Sequence, residues 1–194
     1  MIDADHQLFE WINSLVGDSR ALDNVMKLLV SDFFLPVIIT LATFALWFTG
    51  RTLEERRANQ WAWLYATVGV GFTALAVNIF NGVLDRSRPF VALEDVEVLF
   101  YQPTDPSFPS NAAAFAFASA TGVFLVRKRW GLLIGFGAVL FSFARVYAGM
   151  HFPLDVVSGA LLGVVTTWFF SHVLRQAKPV VDWALSLLRR AYLA

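Results

Sequence analysis

Cysteine is absent from this 194-residue chain. That excludes a disulfide framework and a thiolate metal site, and it leaves the redox compartment undetermined. Charge is scarce: 15% of residues are Asp, Glu, Lys or Arg against 57% hydrophobic, a balance too apolar for a soluble domain of this length. Neither sign is in excess, with 15 basic and 15 acidic residues, and no basic stripe stands out, which argues against a nucleic-acid partner. The first 20 residues contain Asp3, Asp5 and Glu10 and lack a basic start followed by an apolar run, so they do not read as a cleaved signal peptide. Internal repeats, low-complexity segments and a linker long enough for a second domain are also missing. Residues 1–194 read as a single membrane-embedded domain.

What the chain has in plenty is apolar and aromatic surface, including 19 Phe and 7 Trp. Five stretches are long and apolar enough to cross a bilayer as helices of roughly 20 residues. They fall near 33–50, 61–84, 110–126, 130–148 and 154–174. Two flanking segments are amphipathic. Residues 5–16 place Leu8, Phe9, Ile12, Leu15 and Val16 on one stripe, and residues 179–193 do so with Val180, Trp183, Leu187 and Leu188. Asp18 or Ser19 is a cap for a short helix through 20–31. The expected fold is all-α: a polytopic membrane bundle of about five to six transmembrane helices over 33–174. Interfacial amphipathic helices flank it in 1–32 and 175–194.

Ten of the fifteen basic residues lie on one side of a five-span arrangement: Arg51, Arg56, Arg57, Arg127, Lys128, Arg129, Arg175, Lys178, Arg189 and Arg190. The positive-inside rule puts that side in the cytoplasm, together with the C-terminus. The 85–109 loop and the 144–155 corner then face outward. Four separate span ends meet there, carrying Arg88, Ser110, Arg145, His151 and Asp155. Titratable groups at a bilayer boundary are costly, so their convergence marks a functional site.

Each of these residue types suits phosphate chemistry. Pro89 ends a helix and leaves the Arg88 guanidinium free for bidentate phosphate contact. Asn81 lies seven residues earlier, two helical turns, and faces the same way. Ser110 is a favoured N-cap, and the helix start it opens, with the amides near Asn111, binds anions readily. His151 and Asp155 stand at i and i+4, a spacing that lets a carboxylate orient a nucleophilic imidazole. Arg145 supplies a second guanidinium.

Together these residues resemble the type 2 phosphatidic acid phosphatase family, which includes vanadium haloperoxidases. The family's motifs are Lys, six residues, Arg-Pro; then Pro-Ser-Gly-His; then Ser-Arg, five residues, His, three residues, Asp. Arg88-Pro89, Pro109-Ser110 and Arg145, His151 and Asp155 match them in order and spacing over about 75–170. The runs R-P-F-V at 88–91, S-F-P-S at 107–110 and H-F-P-L-D-V at 151–156 look closest to bacterial undecaprenyl-diphosphate phosphatases of the bacitracin-resistance type. The resemblance implies a lipid phosphatase of the bacterial cytoplasmic (inner) membrane with its site facing outward. It further implies hydrolysis through a phosphohistidine on His151, without metal or cofactor. Asp155 fixes the tautomer, and Arg88, Arg145, Ser110 and Asn111 hold the phosphoryl oxygens. The implied substrate is undecaprenyl diphosphate, with phosphatidylglycerol phosphate or phosphatidate as alternatives. A non-catalytic lipid-binding protein is the alternative from another class.

Three departures qualify the match. Asn81 stands at the first-motif Lys, with Arg86 as a candidate replacement, and Ala144 stands where the third motif has Ser. Ala112 stands at the second-motif His, which in the family protonates the leaving group; Ala transfers no proton. Retention of His151, Asp155, Arg88 and Arg145 favours a single substitution in a working enzyme over a natural pseudoenzyme. The acidic 90–108 loop, with Glu94, Asp95, Glu97, Tyr101 and Asp105, reads as a solvated loop rather than a lid.

The topology is testable by cysteine labelling in intact cells. Positions 54 and 128 are expected to be protected, and positions in 107–110 and at 151 to face outward. Outside labelling at 54 or 128 overturns the five-span arrangement.

Overall fold

The computed structural model describes residues 2–190, and among these it contains helices and no strand. The helices are α1 (Ile2–Asn13), α2 (Arg20–Val30), α3 (Phe34–Phe48), α4 (Leu53–Leu84), α5 (Pro89–Ala92), α6 (Asn111–Phe124), α7 (Lys128–Tyr147), α8 (Pro153–Gln176) and α9 (Lys178–Arg190). The expected tail helix through 193 runs past the described residues, since 191–194 lie outside them.

Local sequence sets several boundaries. Ser19 accepts the Leu22 amide and starts α2, as its residue type predicts. Thr52 accepts the Glu55 amide at 3.1 Å, and Glu54 and Glu55 complement the positive end of α4. Pro153 begins α8 at a position where its missing N–H is not needed.

The all-helical bundle is as expected, but the lengths differ from five equal spans. Leu53–Ala92, α7 and α8 are long and apolar enough to cross a membrane. The α2–α3 pair, bent by 47°, qualifies as a fourth span when counted together. The expected span at 110–126 is the 14-residue α6, about 21 Å long and so short of a bilayer core. Its position explains the length. It is the central helix, packed against α4, α7 and α8, with Ala113, Ala114, Ala116 and Ala118 buried. Large apolar side chains instead stand exposed around the outside: Leu75, Ile79 and Val83 on α4, Leu132, Leu133 and Phe136 on α7, and Leu161, Val165 and Trp168 on α8. A surface this apolar belongs in lipid.

The N-terminal segment departs from the interfacial expectation. Part of its stripe is consumed in packing: Phe9 and Ile12 are buried with Met26, Val30, Tyr147 and Phe152. Asn13 ties α1 to the 93–110 loop through both Glu97 backbone groups, at 2.9 and 3.0 Å. The C-terminal α9 keeps Val180, Trp183 and Leu187 exposed, as an interfacial helix requires, and is anchored by Asp182 to Arg57 and Trp61.

Two glycines let α8 lie directly on α6. A Cβ at Gly159 would stand 2.4 Å from the Ser110 carbonyl, and one at Gly163 2.4 Å from the Ala114 carbonyl. One turn apart, they form a small-residue stripe that brings the two backbones together. Gly159→Ala and Gly163→Ala are therefore expected to destabilise the protein by about 1–3 kcal/mol, the usual cost of overpacking. Gly71 meets nothing within 4 Å, so Gly71→Ala should leave stability unchanged or raised by up to about 1 kcal/mol. Thermal unfolding of the purified protein in detergent checks both.

Candidate active site at the convergence of four helix ends

The site begins where α4 stops. Asp85 takes a left-handed conformation with φ 31° and turns the chain, so the helix ends at Leu84. This corrects the expectation that Pro89 terminates the span. Pro89 instead opens the short α5, with Arg88 as its N-cap. Asn81 and Arg88 consequently do not share a helix face. Asn81 stays on α4 with a buried Oδ1 that has no partner, outside the cavity that Arg88 lines.

His151 sits in the turn between α7 and α8 and is 3% exposed. Its Nδ1 lies 3.0 Å from the Ser107 carbonyl, and its Nε2 lies 3.3 Å from Arg88 Nη1. A carbonyl only accepts and a guanidinium only donates, which assigns the tautomer: Nδ1 carries the proton and Nε2 presents its lone pair. Burial pushes the imidazole pKa below its ordinary value. The neighbouring Arg88 and Arg145 charges act in the same direction, against the pull of Asp155. The ring is thus a neutral base whose Nε2 lone pair meets Arg88, and both residues line the cavity.

Asp155 is linked to His151 at one remove. Its Oδ2 is 3.9 Å from His151 Nδ1, too long for a hydrogen bond. The carboxylate is fully buried and accepts from Ser107 Oγ at 2.5 Å, from the Phe152 amide at 2.9 Å and from Arg86 Nη1. It therefore fixes Ser107, and the Ser107 carbonyl fixes the imidazole. Pro153 shifts the start of α8 past His151, which removes the shared helical face that the spacing of four implied.

Arg86 is accounted for by carboxylates. It donates to Asp155 and, at 2.6 Å, to Asp5 Oδ2, and its guanidinium stacks 4.3 Å above Phe152. It supports the site from behind and does not line the cavity in front of His151, contrary to its expected role as a replacement for the missing Lys. Asp5 also accepts the Leu154 amide at 2.8 Å, so α1 closes the back of the site.

In front of His151 lies a cavity of about 340 Å³. Arg88, Arg145, Asn111, Ala112 and His151 all line it, as their convergence in the sequence predicts. Both guanidiniums touch Met150: Arg88 Nη1 donates to its carbonyl at 2.9 Å, and Arg145 Nη1 lies 3.6 Å from its sulfur. Arg145 Nε is buried without a partner. Ser110 is buried behind the lining. Its Oγ accepts the Ala113 amide and its N–H donates to the Asp155 carbonyl at 2.9 Å. Helix geometry leaves the Asn111 and Ala112 amides without intrahelical acceptors at the cavity edge.

Four site residues were not anticipated as such. Ser107 stands in the S-F-P-S run without a role of its own, Asp105 and Tyr101 read as part of a solvated loop, and nothing in the sequence marks Asp32. Asp105 bonds Arg88 at 2.9 Å; Asp32 bonds Arg145 and accepts Tyr101 OH at 2.8 Å. The 93–110 loop is therefore packed on the site. The basic partners were legible, but nothing in the sequence ties Asp32 to Arg145 across 113 residues.

The geometry makes a prediction about protonation. With a folded-state pKa below the free value, His151 binds fewer protons than in the unfolded chain. Its contribution to stability is therefore present above about pH 6.5 and lost as pH falls below it. Histidine-selective ¹⁵N NMR at pH 6.5 should find His151 neutral with the proton on Nδ1. A protonated ring, or a proton on Nε2, overturns this assignment.

Comparison with known proteins identifies the family. Residues 61–179 match the PAP2 superfamily. The chain is 26% identical over 179 residues to the undecaprenyl-diphosphatase BcrC of Bacillus subtilis, covering 92% of this chain and 88% of that protein. It is 29% identical over 161 residues to the bacitracin transport permease protein BcrC of Bacillus licheniformis, covering 83% and 76%. The crystal structure of Aquifex aeolicus LpxE superposes with a TM-score of 0.66 at 28% identity, over 85% of this chain and 92% of that one. Helix architecture, apolar outer surface and family match agree, and the chain belongs to the PAP2 superfamily as an integral-membrane member.

Proposed function

We propose that this protein hydrolyses a lipid diphosphate, undecaprenyl diphosphate first among candidates, through a phosphohistidine on His151. The observation that carries the reading is the lone pair of a buried, neutral His151 Nε2 facing a cavity that two guanidiniums line. In the first step Nε2 attacks the terminal phosphorus, and the bond to the bridging oxygen breaks. The lipid phosphate departs with that electron pair. In the second step water attacks the phosphorus, the N–P bond breaks, and inorganic phosphate leaves. Arg88, Arg145 and the first amides of α6 stabilise the charge that develops on the phosphoryl oxygens. These donors provide electrophilic stabilisation without a metal ion.

Ala112 lines the same cavity as His151, which supports reading position 112 as that of the missing proton donor. The lipid phosphate leaving group of a diphosphate is less basic than an alkoxide, so it departs more readily without that proton. On this reading the protein is an impaired form of a working phosphatase, with Ala112 where the family has His. The basic asymmetry of the loops supports an outward-facing site, and the resemblance to bacterial relatives supports the cytoplasmic membrane as its location. The 26% identity to an undecaprenyl-diphosphatase over most of both chains supports the choice of substrate.

Phosphate release from a lipid panel tests the reading. Ala112→His should raise turnover by about 10²–10⁴, the usual contribution of a positioned general acid, with the larger gain on phosphomonoesters. Adding His151→Ala should abolish the restored activity, and magnesium chelation should leave it unchanged. If Ala112→His is no faster on undecaprenyl diphosphate, phosphatidylglycerol phosphate or phosphatidate, the chain is a lipid-binding protein instead.

A further inference from the structure

At the end of the bundle opposite His151, a second cavity of about 460 Å³ opens between the end of α3 and the start of α7. Its volume falls in the roughly 300–1,000 Å³ range of small-molecule sites. One wall is Ala42, Ala45 and Leu46, and the other is Trp130, whose ring is more than half exposed. Small alanines facing a large indole leave a slot open to the lipid-facing surface of α3. The mouth is polar and carries Arg51 and Arg127.

Arg127 is set in place by its surroundings. Its Nε donates to Asn59 Oδ1 at 2.5 Å, and its Nη2 donates to the Glu55 carbonyl at 3.0 Å. Asn59 is buried and is itself fixed by donating to the Thr49 carbonyl at 2.9 Å. The guanidinium fork is thus oriented by two groups of α4, so little side-chain entropy is lost when it binds an anion. Glu55 also lines the cavity, where its Oε2 accepts the Arg51 amide at 2.9 Å. Arg56, Arg57, Lys128 and Arg129 lie in the adjoining segments and make this end of the bundle cationic. An apolar slot beneath a cationic mouth fits a ligand with an acyl chain below an anionic head, and an exposed Trp is typical of the headgroup level.

We propose that this cavity binds an anionic phospholipid of the leaflet opposite His151. Its phosphate sits between Arg51 and Arg127, and its acyl chain lies in the slot between α3 and Trp130. The bound lipid clamps the α3–α4 turn to the α6–α7 turn. The site shares no residue with the cavity at His151 and does not depend on the reaction proposed there.

The test uses the full chain purified in neutral detergent, with lipid retention read by native mass spectrometry and stability by thermal unfolding. Phosphatidylglycerol should be retained and should raise the unfolding temperature, while phosphatidylcholine and inorganic phosphate should do neither. Arg51 is exposed, so Arg51→Gln preserves the fold and should weaken phosphatidylglycerol binding about fivefold, the usual effect of one basic residue near an anionic lipid. Trp130→Ala should weaken it further, and Arg145→Gln at the other end should leave it unchanged. Equal retention of phosphatidylcholine, or stabilisation by inorganic phosphate alone, overturns the proposal. So does a loss of binding in Arg145→Gln without one in Arg51→Gln.

Discussion

The buried carboxylate of Asp155 is the constraint on which the rest of the site depends. A charge without solvent exposure is tolerated only when paired and hydrogen-bonded, and removing one partner of such a pair costs roughly 3–5 kcal/mol. Asp155 meets that requirement with three donors from three parts of the chain: the Phe152 amide at the start of α8, Ser107 from the long loop and Arg86 from the segment after α4. Arg86 extends the network to Asp5 on α1. Satisfying one charge therefore joins segments that the sequence separates by as many as 150 residues. His151 gains its orientation as a consequence, because Ser107 holds both the carboxylate and the imidazole.

Helix lengths serve the same assembly. Long α4, α7 and α8 present apolar faces to lipid, whereas α6 is short, alanine-rich and enclosed. Its N-terminus sits against α8 because Gly159 carries no Cβ, and the Ser110 amide then reaches the Asp155 carbonyl at 2.9 Å. Backbone contact between α6 and α8 brings the amides near Asn111 to the same cavity as the His151 turn. A side chain at Gly159 would separate the start of α6 from the His151 turn.

Two further carboxylates determine how the arginines are held. Asp32 pairs with Arg145 and Asp105 with Arg88, so neither guanidinium is left as an isolated buried charge. Tyr101 joins Asp32 to the long loop, and Asn13 joins that loop to α1. The acidic loop thus belongs to the site's electrostatics. Asp105 from the loop and Asp32 between α2 and α3 each pair with one guanidinium, and both arginines still line the cavity.

The sequence by itself determined the membrane class, the number and approximate place of the main helices, and the residues meeting at one end of the bundle. Those properties follow from hydropathy over 20-residue windows, from basic asymmetry and from short motifs, each of which is local in the chain. Arg88, Asn111, Ala112, Arg145 and His151 were legible on that basis and line one cavity. Tertiary structure decided what each neighbour does. It placed Asn81 away from Arg88 because α4 ends at Asp85, gave Arg86 to two carboxylates, inserted Ser107 between Asp155 and His151, and brought Asp32 to Arg145. The physical reason is that partner choice for a buried charge is a long-range matter. Spacing along one helix shows which residues share a face, but the donor that satisfies a carboxylate comes from whichever segment packing brings within about 3 Å.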